Sequence, residues 1–105
     1  MIDDIWRKVA AGQWELSEHA TEQGDERDII APEIVQAIMS GEIIEDYPND
    51  QRGPSCLILG YTETGRPIHV HCSYPTRPLI RVITIYEPDT IRWIDFRIRR
   101  PRRLL

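Results

Sequence analysis

At Glu42 the apolar spacing of this chain changes period, and that break constrains the fold more than any other feature. Before it, apolar residues recur every three or four positions, as on a helix; after it, they alternate, as on a half-buried strand. Ile2, Ile5, Trp6, Val9 and Ala10 share one helical face, and Gly12 is placed to end that helix in the left-handed conformation. Asp3 and Asp4 early, with Arg7 and Lys8 later, suit its dipole. Ser17 is a candidate N-cap for a second helix running to about Asp28. That helix is polar, and His19, Gln23 and Arg27 line up along it as a stripe. Pro32 opens a third helix, with Ile34, Val35, Ile38 and Met39 as its buried stripe and Gly41 at its end.

Beyond the break, strands are expected over residues 43–47, 55–61, 66–74 and 79–86. Residues 62–65, ending in Gly65, read as the turn of a hairpin. Helices first and a meander of strands afterwards predict an α+β domain, with the N-terminal helices packed on a four-stranded antiparallel sheet. A chain of 105 residues holds one such core and no second one. Trp93 and Phe96 follow the last strand, and from about residue 97 the chain reads as a basic tail carrying Arg97, Arg99, Arg100, Arg102 and Arg103.

The net charge of −4 hides an asymmetry. The first fifty residues carry thirteen acidic side chains against Arg7, Lys8 and Arg27; the remainder carries ten arginines, no lysine and four acidic residues. Arginine without lysine fits bidentate recognition of phosphate or carboxylate, and equally a genome rich in arginine codons. Any nucleic-acid contact is therefore confined to one face. Apolar runs stop at four residues, too short for a bilayer span, and Met1-Ile2-Asp3-Asp4 lacks the basic and apolar regions of an export signal. The expectation is a cytoplasmic protein that contacts no membrane, with Cys56 and Cys72 as reduced core thiols.

His69 and His71 lie two apart on one predicted strand, so they share a face, while Ile68, Val70 and Cys72 share the other. Imidazole exchanges protons near neutral pH. With Arg66 beside it, this face reads either as a site for acid–base chemistry on a phosphate or as two ordinary strand histidines. A metal would need a third ligand from His19, because Cys72 points away; neither a metal nor another cofactor is expected. Tyr86 ends its strand as a further phenol, and Arg81 is a further cation. The chain has no glycine-rich phosphate loop, no Ser-His-Asp order and no Cys-x-x-Cys, which argues against ATP chemistry, serine hydrolysis and zinc ribbons.

Four fragments, Leu16-Ser17-Glu18-His19-Ala20, Glu26-Arg27-Asp28-Ile29, Gly65-Arg66-Pro67-Ile68-His69-Val70 and Ile83-Thr84-Ile85-Tyr86-Glu87-Pro88, together resemble the prokaryotic family called domain of unknown function 4258. That family in turn resembles the RelE-type toxins of type II toxin–antitoxin pairs, compact α+β proteins of which many cleave messenger RNA. The resemblance implies a RelE-like fold and a metal-independent endoribonuclease of the mRNA interferase type. Its implied partners are messenger RNA, in some cases on the ribosome, and a small zinc-finger antitoxin. On the family's shared pattern fall His19, Arg27, Arg66, His69 and Tyr86, whereas His71 does not clearly match. The implied catalytic set is His19, Arg66, His69 and Tyr86, with Arg27, Arg81, Arg97, Arg99 and Arg100 on the RNA. RelE-type enzymes commonly use lysine, which is nearly absent here, so a lysine-dependent mechanism does not carry over. The alternative is a non-catalytic RNA- or protein-binding module that keeps the fold.

Overall fold

A computed structural model describes residues 1–101; Arg102 and Arg103 of the expected tail lie outside the described residues. Helix α1 (Ile2–Ala10) buries Ile5 and Val9. It closes as the spacing predicts: Gly12, at φ 73°, donates to the Val9 carbonyl and Gln13 to that of Lys8. Strand β1 (Trp14–Leu16) follows, then α2 (Glu18–Arg27) and α3 (Ala31–Met39). Ser17 caps α2, its Oγ accepting from the Ala20 N–H. Asp28, at φ 52°, ends α2 in the left-handed conformation that aspartate tolerates better than most residues. Strands β2 (Glu42–Tyr47), β3 (Ser55–Tyr61), β4 (Pro67–Ser73) and β5 (Ile80–Tyr86) occupy the segments expected of them.

The α+β class holds, but the four-stranded antiparallel sheet does not. The main sheet has five strands in the order β1-β5-β4-β3-β2, and β1 runs parallel to β5, making the sheet mixed. Three residues are too few to show a period, so β1 is defined by its partners at residues 80–82. A second correction concerns the basic segment: β6 (Trp93–Ile94) and β7 (Ile98–Arg99) form a small antiparallel hairpin.

One sheet face packs Cys56, Ile58, Ile68, Val70, Cys72, Ile80, Val82 and Ile85 against Ile5, Val9, Ala20, Ile34 and Ile38 of the helices. Gly60 lets α3 lie close against β3, since a Cβ there would sit 1.6 Å from the Ala37 carbonyl oxygen. The Trp6 indole N–H donates to the Ile38 carbonyl at 2.8 Å, tying α1 to α3. Both cysteines are free and buried on this face, directly opposite each other on β3 and β4. The other face carries the histidines. The β6–β7 hairpin covers part of it and leaves the rest open.

A bulge shapes that open part. His71 pairs with Thr84 and Cys72 with Val82, so Ile83 is an extra residue in β5. Strict alternation from Tyr86 would send Arg81 into the core and Val82 outward. With the bulge, Val82 is fully buried and Arg81 stands on the histidine face.

Candidate functional site

The two histidines share a face but have different surroundings. His69 is fully buried. Its Nε2–H donates to the Phe96 carbonyl at 2.6 Å, and its Nδ1 accepts from the Tyr86 hydroxyl at 3.1 Å. Trp93 meets the ring edge-on at 4.5 Å. Both nitrogens are thus committed to holding the hairpin and β5. Burial pushes its pKa below the ordinary 6.5, against the opposing pull of the Phe96 carbonyl, so the ring is neutral at physiological pH. Burial likewise raises the Tyr86 phenol.

His71 is half-buried, and its Nε2 lies 2.9 Å from Ser55 Oγ. The Tyr47 ring packs edge-to-face on it at 5.6 Å. Burial lowers its pKa too, while Asp50 pulls the other way. It opens onto a groove across the uncovered half of the sheet, where two adjoining depressions of about 690 and 660 Å³ share Arg52, Arg77 and Ile83 as walls. His19 and Glu22 of α2, with Arg81 and Thr84 of β5, line one depression; Asp50, His71 and Ser73 line the other. A third hollow beside His71 is walled by Tyr47, Tyr86 and Arg99. Space of this size accommodates small-molecule ligands.

The expected cations divide in the same way. Arg66 donates to the carbonyls of Asp28 at 2.8 Å and Arg27 at 2.7 Å, and pairs with Glu33 and Glu87. It therefore sits on the C-terminus of α2, where its charge meets the helix dipole. Arg27 donates to the Ile85 carbonyl at 3.2 Å. The stripe legible in α2 has a structural cause here. Once β1 ends, the outer edge of β5 would lack partners. Ser17 Oγ donates to Ile83, Gln23 Oε1 accepts from the Ile85 N–H, and Arg27 completes the set. His19, on the same helix, stays exposed at the groove.

Arg81 pairs with Glu15, Arg97 with Glu42 and Arg99 with Glu45, all partly exposed. Arg99 also lies over the Trp93 ring at 4.6 Å and, by hydrogen bonding, holds the Glu45 carboxyl below the usual range. Arg100 donates to the Thr90 carbonyl at 3.1 Å. Such exposed pairs contribute little to stability. Arg52 and Arg77 make no ion pair among the described residues, and no sequence pattern singled them out. Each sits in a loop flanked by prolines, Pro48 and Pro54 around one, Pro75 and Pro78 around the other. Among the described residues no three His, Cys, Asp or Glu side chains cluster as metal ligands, and no helix is long and apolar enough to cross a membrane.

A family model described as domain of unknown function (DUF4258) matches residues 16–87. The chain belongs to this family. The matched span runs from the end of β1 through β5 and takes in His19, Arg66, His69, His71 and Tyr86, but leaves out α1 and the hairpin. Neither the curated proteins nor the solved structures give a match.

The two depressed histidine pKa values have a consequence for stability. Below pH 6.5 an unfolded histidine takes up a proton that the folded one resists, so the unfolded state binds more protons there. Stability is fully present above the unfolded value and is lost as pH falls towards the folded ones. The urea midpoint is expected to fall between about pH 7.5 and about pH 5.5, ahead of carboxylate titration. A midpoint that stays flat across this interval would contradict the assignment.

Proposed function

We propose that this member of the family is a toxin-like endoribonuclease, an mRNA interferase of a type II toxin–antitoxin pair, acting on RNA in the cytoplasm without a metal. The observation that carries the reading is the position of His71, a neutral imidazole held at one nitrogen and open to a groove with Arg52, Arg77 and Arg81 on its walls. In this reading His71 replaces His69 as the general base. It takes the proton of a 2′-hydroxyl, the 2′-oxygen bonds to the adjacent phosphorus, and the bond to the 5′-oxygen breaks. His19 returns a proton to that 5′-oxygen, leaving a 2′,3′-cyclic phosphate and a 5′-hydroxyl. The arginines stabilise the charge that builds on the phosphoryl oxygens. Kinship with RelE-type toxins and a zinc-finger antitoxin partner belong to the same proposal; the helices-then-antiparallel-strands order of residues 18–86 supports it.

A second reading, a non-catalytic RNA- or protein-binding module, is favoured by the engagement of His69 and Arg66 in the fold. One experiment separates the two. The full chain in a translating extract is expected to cut messenger RNA, in buffer containing chelator, to ends bearing 2′,3′-cyclic phosphate. Intact RNA, bound with an affinity that falls steeply with salt, would establish the binding module instead. Absence of both cleavage and binding rejects any RNA role.

A further inference from the structure

One hydroxyl stands between a carboxylate and the imidazole of the groove. Ser55 Oγ lies 3.1 Å from Asp50 Oδ2 and 2.9 Å from His71 Nε2. The backbone N–H of Arg52 donates to the other Asp50 oxygen at 3.1 Å. These two donors, the Arg52 amide foremost, hold the Asp50 carboxyl below the usual range, so it is ionised near neutral pH. An ionised carboxylate only accepts, and a serine hydroxyl has one proton to give. That proton therefore belongs to Asp50. Toward His71 the Ser55 oxygen is left as an acceptor, and Nε2 must be the atom that carries hydrogen.

The lone pair of neutral His71 is then on Nδ1. That nitrogen has no hydrogen-bond partner among the described residues, and no side-chain nitrogen or oxygen among them is both buried and unpartnered. Nδ1 is therefore accessible to solvent, on a ring that lines the groove. The geometry points to Asp50 and Ser55 as positioning residues that hold His71 in the Nε2–H tautomer and present Nδ1 as the proton acceptor for bound RNA. The last step rests on the endoribonuclease reading; the tautomer does not. Nothing in the linear pattern marks the set, since Asp50 lies in a loop, Ser55 begins β3 and His71 lies on β4.

The test uses the full chain with 15N-labelled histidine, read by long-range proton–nitrogen correlation above the titration range. With three histidines in the chain, a His71→Gln variant identifies the signals of residue 71. Wild type is expected to show a protonated Nε2 and an unprotonated Nδ1 at His71. Asp50→Asn and Ser55→Ala are expected to give a mixture of tautomers there, with the His69 signals unmoved as proof that the fold persists. A protonated Nδ1 in wild type, or a tautomer indifferent to both variants, overturns the proposal. In RNA cleavage Asp50→Asn is expected to lower kcat about ten- to a hundredfold with KM within about twofold, part of the hundred- to ten-thousandfold owed to a positioned base. An unchanged kcat overturns the positioning role. If wild type cuts no RNA while the tautomer answers to Asp50, the endoribonuclease reading fails and the relay stands.

Discussion

His69→Ala is expected to lower the free energy of unfolding by about 3 kcal/mol, read from urea titration, and to expose the amides of the β6–β7 hairpin to exchange. The ring fills a fully buried position between Trp93 and Tyr86, so its removal leaves a cavity that neither neighbouring strand can close. The Phe96 carbonyl also loses its donor and the Tyr86 hydroxyl its acceptor. The hairpin is poorly equipped to survive alone. Its turn places Asp95 at φ 53° and Phe96 at φ 60°, with the Arg97 N–H on the Ile94 carbonyl at 3.0 Å. Two successive non-glycine residues in the left-handed region are strained and persist only where surrounding contacts hold them. His69 supplies one of those contacts from the floor of the sheet. An unchanged urea midpoint, or hairpin amides as protected as in wild type, would show that the hairpin is held by its arginine pairs instead.

The same hairpin explains why the site was only half legible. That His69 and His71 share a face follows from a period of two, and the structure keeps them there. Which of them is covered depends on residues 93–99, whose turn lacks the Asn-Gly or Asp-Gly signal of a two-residue hairpin. Local spacing also made the α2 stripe visible, and Ser17 and Pro32 marked helix starts correctly. What the stripe is for depends on β1 stopping at Leu16, a non-local fact that turns Gln23 and Arg27 into partners for β5. Arg81 was legible as a cation, but its face was not: a single inserted residue, Ile83, reverses the face on which everything before it in β5 falls. Arg52 and Arg77 lie in loops, where no periodicity exists to place a side chain.

His71→Ala is expected to do the opposite of His69→Ala. RNA cleavage should fall about a hundred- to ten-thousandfold in kcat/KM, the range a positioned base contributes, while stability changes by no more than about 1 kcal/mol. The small stability cost follows from position: the half-buried ring donates one hydrogen bond, to Ser55, and its other nitrogen is already accessible to solvent. RNA affinity should change little, because Arg52, Arg77 and Arg81 remain. The two variants can also be told apart by the way activity is lost. A chain weakened at residue 69 loses activity in proportion to its unfolded fraction and regains it in stabilising osmolytes or kosmotropic salts. A chain lacking the base stays folded and inactive under every such condition. If His71→Ala cleaves as wild type does while His69→Ala stays folded and fails, the base is the buried histidine after all, and the hairpin that covers it must open for the reaction.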